Sequence, residues 1–217
     1  LNHTFTEKFI KNYKPDIIHE TYYSDKKYKS KKKVICTVYD MINETYPHFF
    51  KDYEKISSIK RQTVNRADKI ICISKKTKED LINHFSINEN KIEVIYLASG
   101  LKEKKLTINL EKKYPNHLLF VGSRRGYKNY DNFISAYANS KTLRENFKII
   151  FFGGERVSKL DYMIIKKNKI NLNNILFIDD KQTNLPFLYS NVAALVYPSF
   201  YEGFGLPIVE AMSFCCP

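Results

Sequence analysis

The chain has 217 residues, 43% of them hydrophobic, which is enough for one large or two small α/β domains with a sizeable core. No apolar run approaches the roughly 20 residues that a helix needs to cross a bilayer, and no signal-peptide pattern is seen. The net charge of +13 would suit nucleic acid or an anionic surface. However, the Lys-, Asn-, Ile- and Tyr-rich, Trp-free composition of an AT-rich genome accounts for it, and no nucleic-acid partner is expected.

Thr6 to Tyr13 has helical spacing (Phe9, Ile10, Tyr13) and is stopped by Pro15. Asp16 to His19 is a short strand leading into a polar loop with Tyr22 and Tyr23. Lys26–Lys33 follows, with six lysines in eight residues. It reads either as a solvated loop or as a cluster making peripheral contact with an anionic membrane. Val34 to Val38 is a continuous apolar strand, as in a parallel sheet covered on both faces, with Tyr39, Asp40 and Met41 at its carboxyl end. A helix is predicted over Asp52 to Arg66, a strand over Lys69 to Ile73, a helix from Ser74 to about Phe85, and a strand over Lys91 to Ile95. The hydrophobic rhythm lapses from Ala98 to Asn116, which reads as a linker. A second series then has strands at Leu118–Val121, Lys148–Phe152, Ile175–Ile178 and Ala193–Tyr197. Its helices are at Asn129–Asn139, Val157–Lys167 and Leu185–Ser190. Two doubly wound α/β units joined by a linker are expected. Cys36 and Cys72 fall in strands, and Cys215 and Cys216 are adjacent. That pattern fits neither a disulfide framework nor a zinc site and points to a reduced, cytosolic setting.

The most informative stretch runs from Tyr197 to Met212. The strand ends at Pro198, a glycine-punctuated turn follows, and Leu206 to Phe214 reads as a helix with Pro207 in its first turn. Strand, glycine turn and helix start together point backbone N–H groups at an anion, with the helix dipole behind them. Glu202 and Glu210 bracket the turn, which suits a ligand carrying both phosphate and hydroxyls.

Glu202 and Glu210 enclose Gly-Phe-Gly-Leu-Pro-Ile-Val, preceded by Tyr-Pro-Ser and followed by Ala-Met. The whole resembles the E-x(7)-E signature of retaining glycosyltransferases of family 4. His19 to Ser24 is similar to the His-x-x-Tyr-Tyr loop of O-antigen-type members, Thr37 to Ile42 resembles Thr-Val-His-Asp-Met-Ile, and Ala67 to Ser74 resembles Ala-Asp-x-Ile-Ile-x-x-Ser. The resemblance runs over nearly the whole chain. It implies the GT-B fold, two Rossmann-like doubly wound domains that are both incomplete here. Residues 1–98 would be the later part of the acceptor-side domain, 99–116 the linker, and 117–217 the first part of the nucleotide-sugar domain. The chain then reads as an internal fragment of a longer protein. In Rossmann order the first and fourth strands of the second unit would be neighbours at the switch point, the fourth with an open edge.

The resemblance also assigns roles. In Gly-x-Arg-x-x-x-Lys-Asn, beginning at Gly122, Arg124 and Lys128 match the pair that binds the donor diphosphate; Arg125 fits no position and is read as solvated. Glu210 would bond the ribose hydroxyls. Glu202 would meet the donor sugar and stabilise charge at the reacting carbon, and the amides of Gly203, Phe204, Gly205 and Leu206 would approach phosphate and sugar. Asp40 and Tyr39 are candidate cleft residues. No metal and no other cofactor is expected, because Arg124 and Lys128 supply the cation. The implied partners are a nucleotide-sugar donor and a glycan or lipid-linked acceptor of a bacterial surface polysaccharide, handled in the cytoplasm at the inner face of the plasma membrane. Three departures stand out: Tyr39 where a His is usual, Asp179 where a Gly is usual, and Cys215 in a slot that favours Gly. Two rival readings remain: a truncated or degenerate copy that holds nucleotide without transferring, and a basic protein that binds membrane or nucleic-acid surfaces.

Overall fold

The computed structural model describes residues 2–27, 32–101, 113–179 and 184–217. Most of the linker (102–112) and the middle of the lysine cluster (28–31) therefore lie outside the described residues. The chain divides into two compact units, residues 1–97 with 202–204, and residues 98–201 with 205–217.

In the first unit α1 (Asn2–Tyr13) leads to β1 (Ile17–Glu20) and β2 (Lys33–Val38). Then come α2 (Ile42–Thr45), α3 (Tyr53–Arg66), β3 (Lys69–Cys72), α4 (Lys75–Phe85) and β4 (Ile92–Val94). The four strands are all parallel, in the order β1-β2-β3-β4. Cys36, Val38, Val64, Ile70, Cys72 and Leu81 form a fully buried core, which is why β2 and β3 read as unbroken apolar runs. Ser74 caps α4 by accepting from the Thr77 N–H at 3.0 Å. The short α2 gave no periodic signal.

Lys60, on the polar-looking α3, is completely buried. Its Nζ donates to Glu44 Oε2 at 2.7 Å and to the Asp40 carbonyl at 3.0 Å, and lies 5.2 Å from the centre of the Tyr23 ring. Glu44 Oε1 is buried with no hydrogen-bond partner among the described residues.

The second unit contains β5 (Tyr114–Val121), α5 (Tyr130–Asn139), α6 (Lys141–Asn146), β6 (Lys148–Phe152), α7 (Lys159–Lys167), β7 (Ile175–Ile178), α8 (Leu185–Asn191), β8 (Val192–Leu195) and α9 (Leu206–Ser213). Its sheet is parallel in the order β7-β6-β5-β8, so the first and fourth strands are neighbours, as expected. Side chains alternate across it. Phe120, Ile149 and Phe151 pack with Phe133, Ile134 and Tyr137 of α5 and Ile165 of α7. Leu119, Ile150 and Phe152 pack on the other face with Leu188 and Tyr189 of α8 and Ala211 of α9.

Some boundaries differ from the sequence reading. β5 starts at Tyr114, inside the stretch read as linker. Its pairing with β6 begins only at His117, and the register against β8 shifts between Tyr114 and Leu118, so Pro115 needs to donate no ladder bond there. The helix α6 carries too few apolar residues to show a period. The helix α7 starts at Lys159 because Ser158 and Asp161 form a capping box in front of it. The open edge expected for β8 is met at Leu195, whose N–H donates to the Pro217 carbonyl at 2.7 Å. Cys215 does take the left-handed conformation (φ 53°). Cys215 N–H bonds Met212 O and Cys216 N–H bonds Ala211 O, the two bonds of a Schellman cap.

Removing Lys60 orphans a buried carboxylate. Lys60→Met is expected to lower unfolding free energy by about 3–5 kcal/mol in urea titrations, and Lys60→Met/Glu44→Leu to recover most of that loss.

Candidate functional site

In a doubly wound sheet ligands bind beyond the carboxyl ends of the strands, where the strand order reverses. In the second unit that point lies between β5 and β8. The β5 strand ends at Val121, and Gly122 turns the chain with φ 110° while its N–H donates to Phe152 O at 2.9 Å. A single 3-10 turn over Gly126–Lys128 and a left-handed Asn129 (φ 60°) then open α5. On the other strand, Pro198 to Phe200 follow β8. Two hydrogen bonds tie these loops together: Asn129 Nδ2 to the Pro198 carbonyl and the Phe200 N–H to the Tyr127 carbonyl, both 2.9 Å.

Lys128 lies across the turn. A Cβ built on Gly122 would be 3.9 Å from Lys128 Nζ, and that nitrogen is 5.3 Å from the ring centres of both Tyr127 and Tyr197. The Tyr197 ring reaches on to Gly205, the left-handed N-cap (φ 96°) of α9. Pro207 has no N–H to leave unsatisfied, and the Ile208 N–H bonds back to Gly205 O at 3.0 Å. Glu210 lies one turn along α9, half-buried, and Oε2 accepts from the Tyr189 hydroxyl at 3.1 Å. Ser199 Oγ, in the turn after β8, is buried with no hydrogen-bond partner among the described residues. The structure thus places Gly122, Lys128 and the Gly205 start of α9 around one switch point, with Leu206 first in that helix and Glu210 one turn along it.

Arg124 faces elsewhere. It is 3% exposed, with Nε on Asp161 Oδ1 at 3.3 Å, one terminal nitrogen on Gly153 O at 3.0 Å and the other on Glu155 O. Arg125, expected to be solvated, is instead held by Asp161 Oδ1 at 2.8 Å and Ser158 Oγ at 2.9 Å. The sequence reading missed this because the carboxylate comes from α7, 36 residues away. Glu155 adds a third clasp, accepting from Ser123 Oγ at 2.6 Å. Burial by itself would raise the Asp161 carboxyl; hydrogen bonds from Arg125 and Ser158 and the charge of Arg124 bring it down to about 2. Beside this clasp a cavity of about 570 Å³ is lined by Arg124, Gly153, Gly154, Glu155, Phe177 and Asp179. Asp179, a departure from the family pattern, therefore borders an open cavity.

The other sequence candidates belong to the first unit. Asp40 Oδ1 accepts from the Ile42 N–H at 3.1 Å, and the Tyr39 N–H meets the Tyr23 hydroxyl at 3.3 Å. Glu202, Gly203 and Phe204 group with this unit and not with Glu210. Sequence reasoning missed Asp161 and Tyr189. The Ser158-x-x-Asp161 capping pattern could have revealed the first, but nothing in the sequence marks the second.

The sheet order and the loops tied at its switch point define a doubly wound α/β protein. Comparison gives the family: residues 101–217 match the model "Glycosyl transferases group 1", and residues 2–98 match "Glycosyltransferase Family 4". The chain belongs to these glycosyltransferases. It is 28% identical over 201 residues to the O-antigen chain mannosyltransferase RfbU of Salmonella typhimurium, covering 84% of this chain and 54% of that protein. It is 26% identical over 195 residues to O-antigen chain mannosyltransferase B of Escherichia coli, covering 83% and 51%. It thus spans about half the length of these curated relatives. Among solved structures, Anabaena HepE in complex with UDP-glucose aligns at TM-score 0.71 and 16% identity, covering 99% of this chain and 61% of that one. WaaG, involved in lipopolysaccharide biosynthesis, aligns at 0.70 and 17%, covering 99% and 62%. These likenesses show the GT-B fold.

The depressed Asp161 pKa sets a sign. A carboxylate at about 2 when folded, against an ordinary 3.8, stabilises the native state above pH 4 and loses that contribution as pH falls towards 2. The stability gap between wild type and Asp161→Asn, from urea midpoints, is expected to narrow by about 2 kcal/mol between pH 5 and pH 2.

Proposed function

We propose that this chain carries the nucleotide-sugar site of a retaining glycosyltransferase. The enzyme would move a hexose onto a glycan or lipid-linked acceptor during bacterial surface-polysaccharide synthesis. The observation that carries the reading is Lys128 laid across Gly122 between two tyrosine rings, beside the glycine-capped start of α9 and Glu210.

Transfer needs a departing diphosphate to be stabilised at a site walled from water. Lys128 is the direct cation in this proposal, aided by the backbone at the start of α9. Arg124 braces the loop, since three protein acceptors already hold its guanidinium. Direct contact with the diphosphate would require Arg124 to leave Asp161. Glu210 receives the ribose hydroxyls. Glu202 serves the sugar and the positive charge that develops at its anomeric carbon, while the leaving phosphate takes the acceptor proton on the same face. Lys128 does the work that a divalent ion does elsewhere, so no metal is required. Asp40 and Tyr39 are assigned to the acceptor side. Membrane contact through Lys26–Lys33 and a place at the inner face of the plasma membrane belong to the same proposal. It draws on exposed Lys26 and Lys27, and no helix among the described residues is long and apolar enough to cross a membrane.

The names of the relatives support this choice of pathway: RfbU and its Escherichia coli counterpart are O-antigen chain mannosyltransferases.

Calorimetric titration with UDP, GDP and ADP tests the proposal. One nucleotide is expected to bind saturably, unchanged by EDTA, and at least tenfold more weakly in Lys128→Ala (about 1.4 kcal/mol). Arg124→Ala is expected to lower the melting temperature first and affinity second. A folded protein that binds none of the three, or binds equally well as Lys128→Ala, would overturn the reading.

A further inference from the structure

We propose that Tyr189 is the positioning residue for Glu210, so that discrimination for a ribose diol is set from α8, a helix that carries no signature residue. The inference rests on the donor-site reading above, in which Glu210 meets the ribose.

Tyr189 is completely buried. Its ring packs among Leu119, Leu188, Val192 and Ala211 and stacks on Phe214 with centroids 6.2 Å apart. A ring held on all sides fixes its hydroxyl in space, since tyrosine has only two rotatable side-chain bonds. That hydroxyl donates to Glu210 Oε2 at 3.1 Å, and no other side chain among the described residues holds the Glu210 carboxylate. Burial and the Glu210 charge both raise the Tyr189 pKa, which keeps the proton on the phenol and the direction of donation fixed.

A glutamate on a helix surface is otherwise free to sample several rotamers, and ordering it on binding costs entropy. Pinned at one oxygen, Glu210 retains acceptor capacity on both, because each carboxylate oxygen has two lone pairs and the tyrosine uses one of the four. A vicinal diol, two donors held at a fixed separation, is the ligand that gains most from a carboxylate with a fixed plane. A ligand with no hydroxyls there gains nothing.

That difference separates positioning from mere structural support. Affinities of UDP, GDP and ADP and of their 2′,3′-dideoxy forms are to be measured for wild type, Tyr189→Phe and Glu210→Gln. Wild type is expected to prefer the ribose form of its nucleotide by tenfold or more. Tyr189→Phe, which keeps the ring, is expected to cut that preference at least threefold while leaving dideoxynucleotide affinity within twofold. Three outcomes overturn the inference: a wild-type preference preserved in Tyr189→Phe, an equal loss for both nucleotide forms, or no ribose preference in wild type. In the first, loss of the preference in Glu210→Gln would leave the donor-site reading standing; in the third, that reading of Glu210 falls as well.

Discussion

The second unit depends on the parallel pairing of β8 with β5. Lys128 and Pro198 are 70 positions apart in sequence, and only this pairing makes their loops neighbours. The ladder continues one bond past the last strand residue, Val196 N–H to Leu119 O at 2.7 Å, before Pro198 ends it. At that end the two chains turn away in different directions, one into α5 and the other into α9. Asn129 ties the two loops with a hydrogen bond from its side-chain amide to the Pro198 carbonyl, and the loops cannot drift apart without losing that bond and its Tyr127–Phe200 companion.

A second constraint lies one strand further in. A carboxylate as deeply buried as Asp161 is tolerable only if its charge is met, and Arg124, Arg125 and the Ser158 N–H and hydroxyl meet it. Arginine suits the task because its planar fork reaches Asp161, Gly153 O and Glu155 O at once, which a lysine ammonium on a single flexible stem could not do in the same geometry. The clasp also brings backbones close. A Cβ on Gly154 would lie 2.5 Å from the Gly122 carbonyl, so the loop after β6 packs against the loop after β5 only because position 154 is glycine. Asp161 therefore organises the floor on which the Gly122 turn rests.

Most of this architecture was legible before the structure. Apolar β-branched runs between helical periods located all eight strands among the described residues, and Ser74 and Pro207 marked their helix starts correctly. The left-handed slot at Cys215 was also foreseeable. What escaped has a common cause: it depends on partners distant in sequence or on too few residues for a period. Pro115 fell within the stretch read as linker because the late start of the β6 pairing is a tertiary fact. Arg125 looked solvated because its partner sits on α7. The α2 and α6 helices, four and six residues long, carry less than two turns of pattern each. Tyr189 carried no motif, and nothing in a sequence says which way a buried hydroxyl points.

Two basic residues of the same loop thus sit in different surroundings. Arg124 satisfies its donors on fixed protein acceptors, so its charge is largely neutralised by Asp161 where it sits. Lys128 has its ammonium beside the π faces of Tyr127 and Tyr197. Such faces attract a cation through the negative face of the ring quadrupole. Around it, Gly122 and Gly205 both hold positive φ, so the turns that frame the lysine are ones a side chain would strain. The lysine is thus framed by two aromatic faces and by two turns that only glycine makes easily.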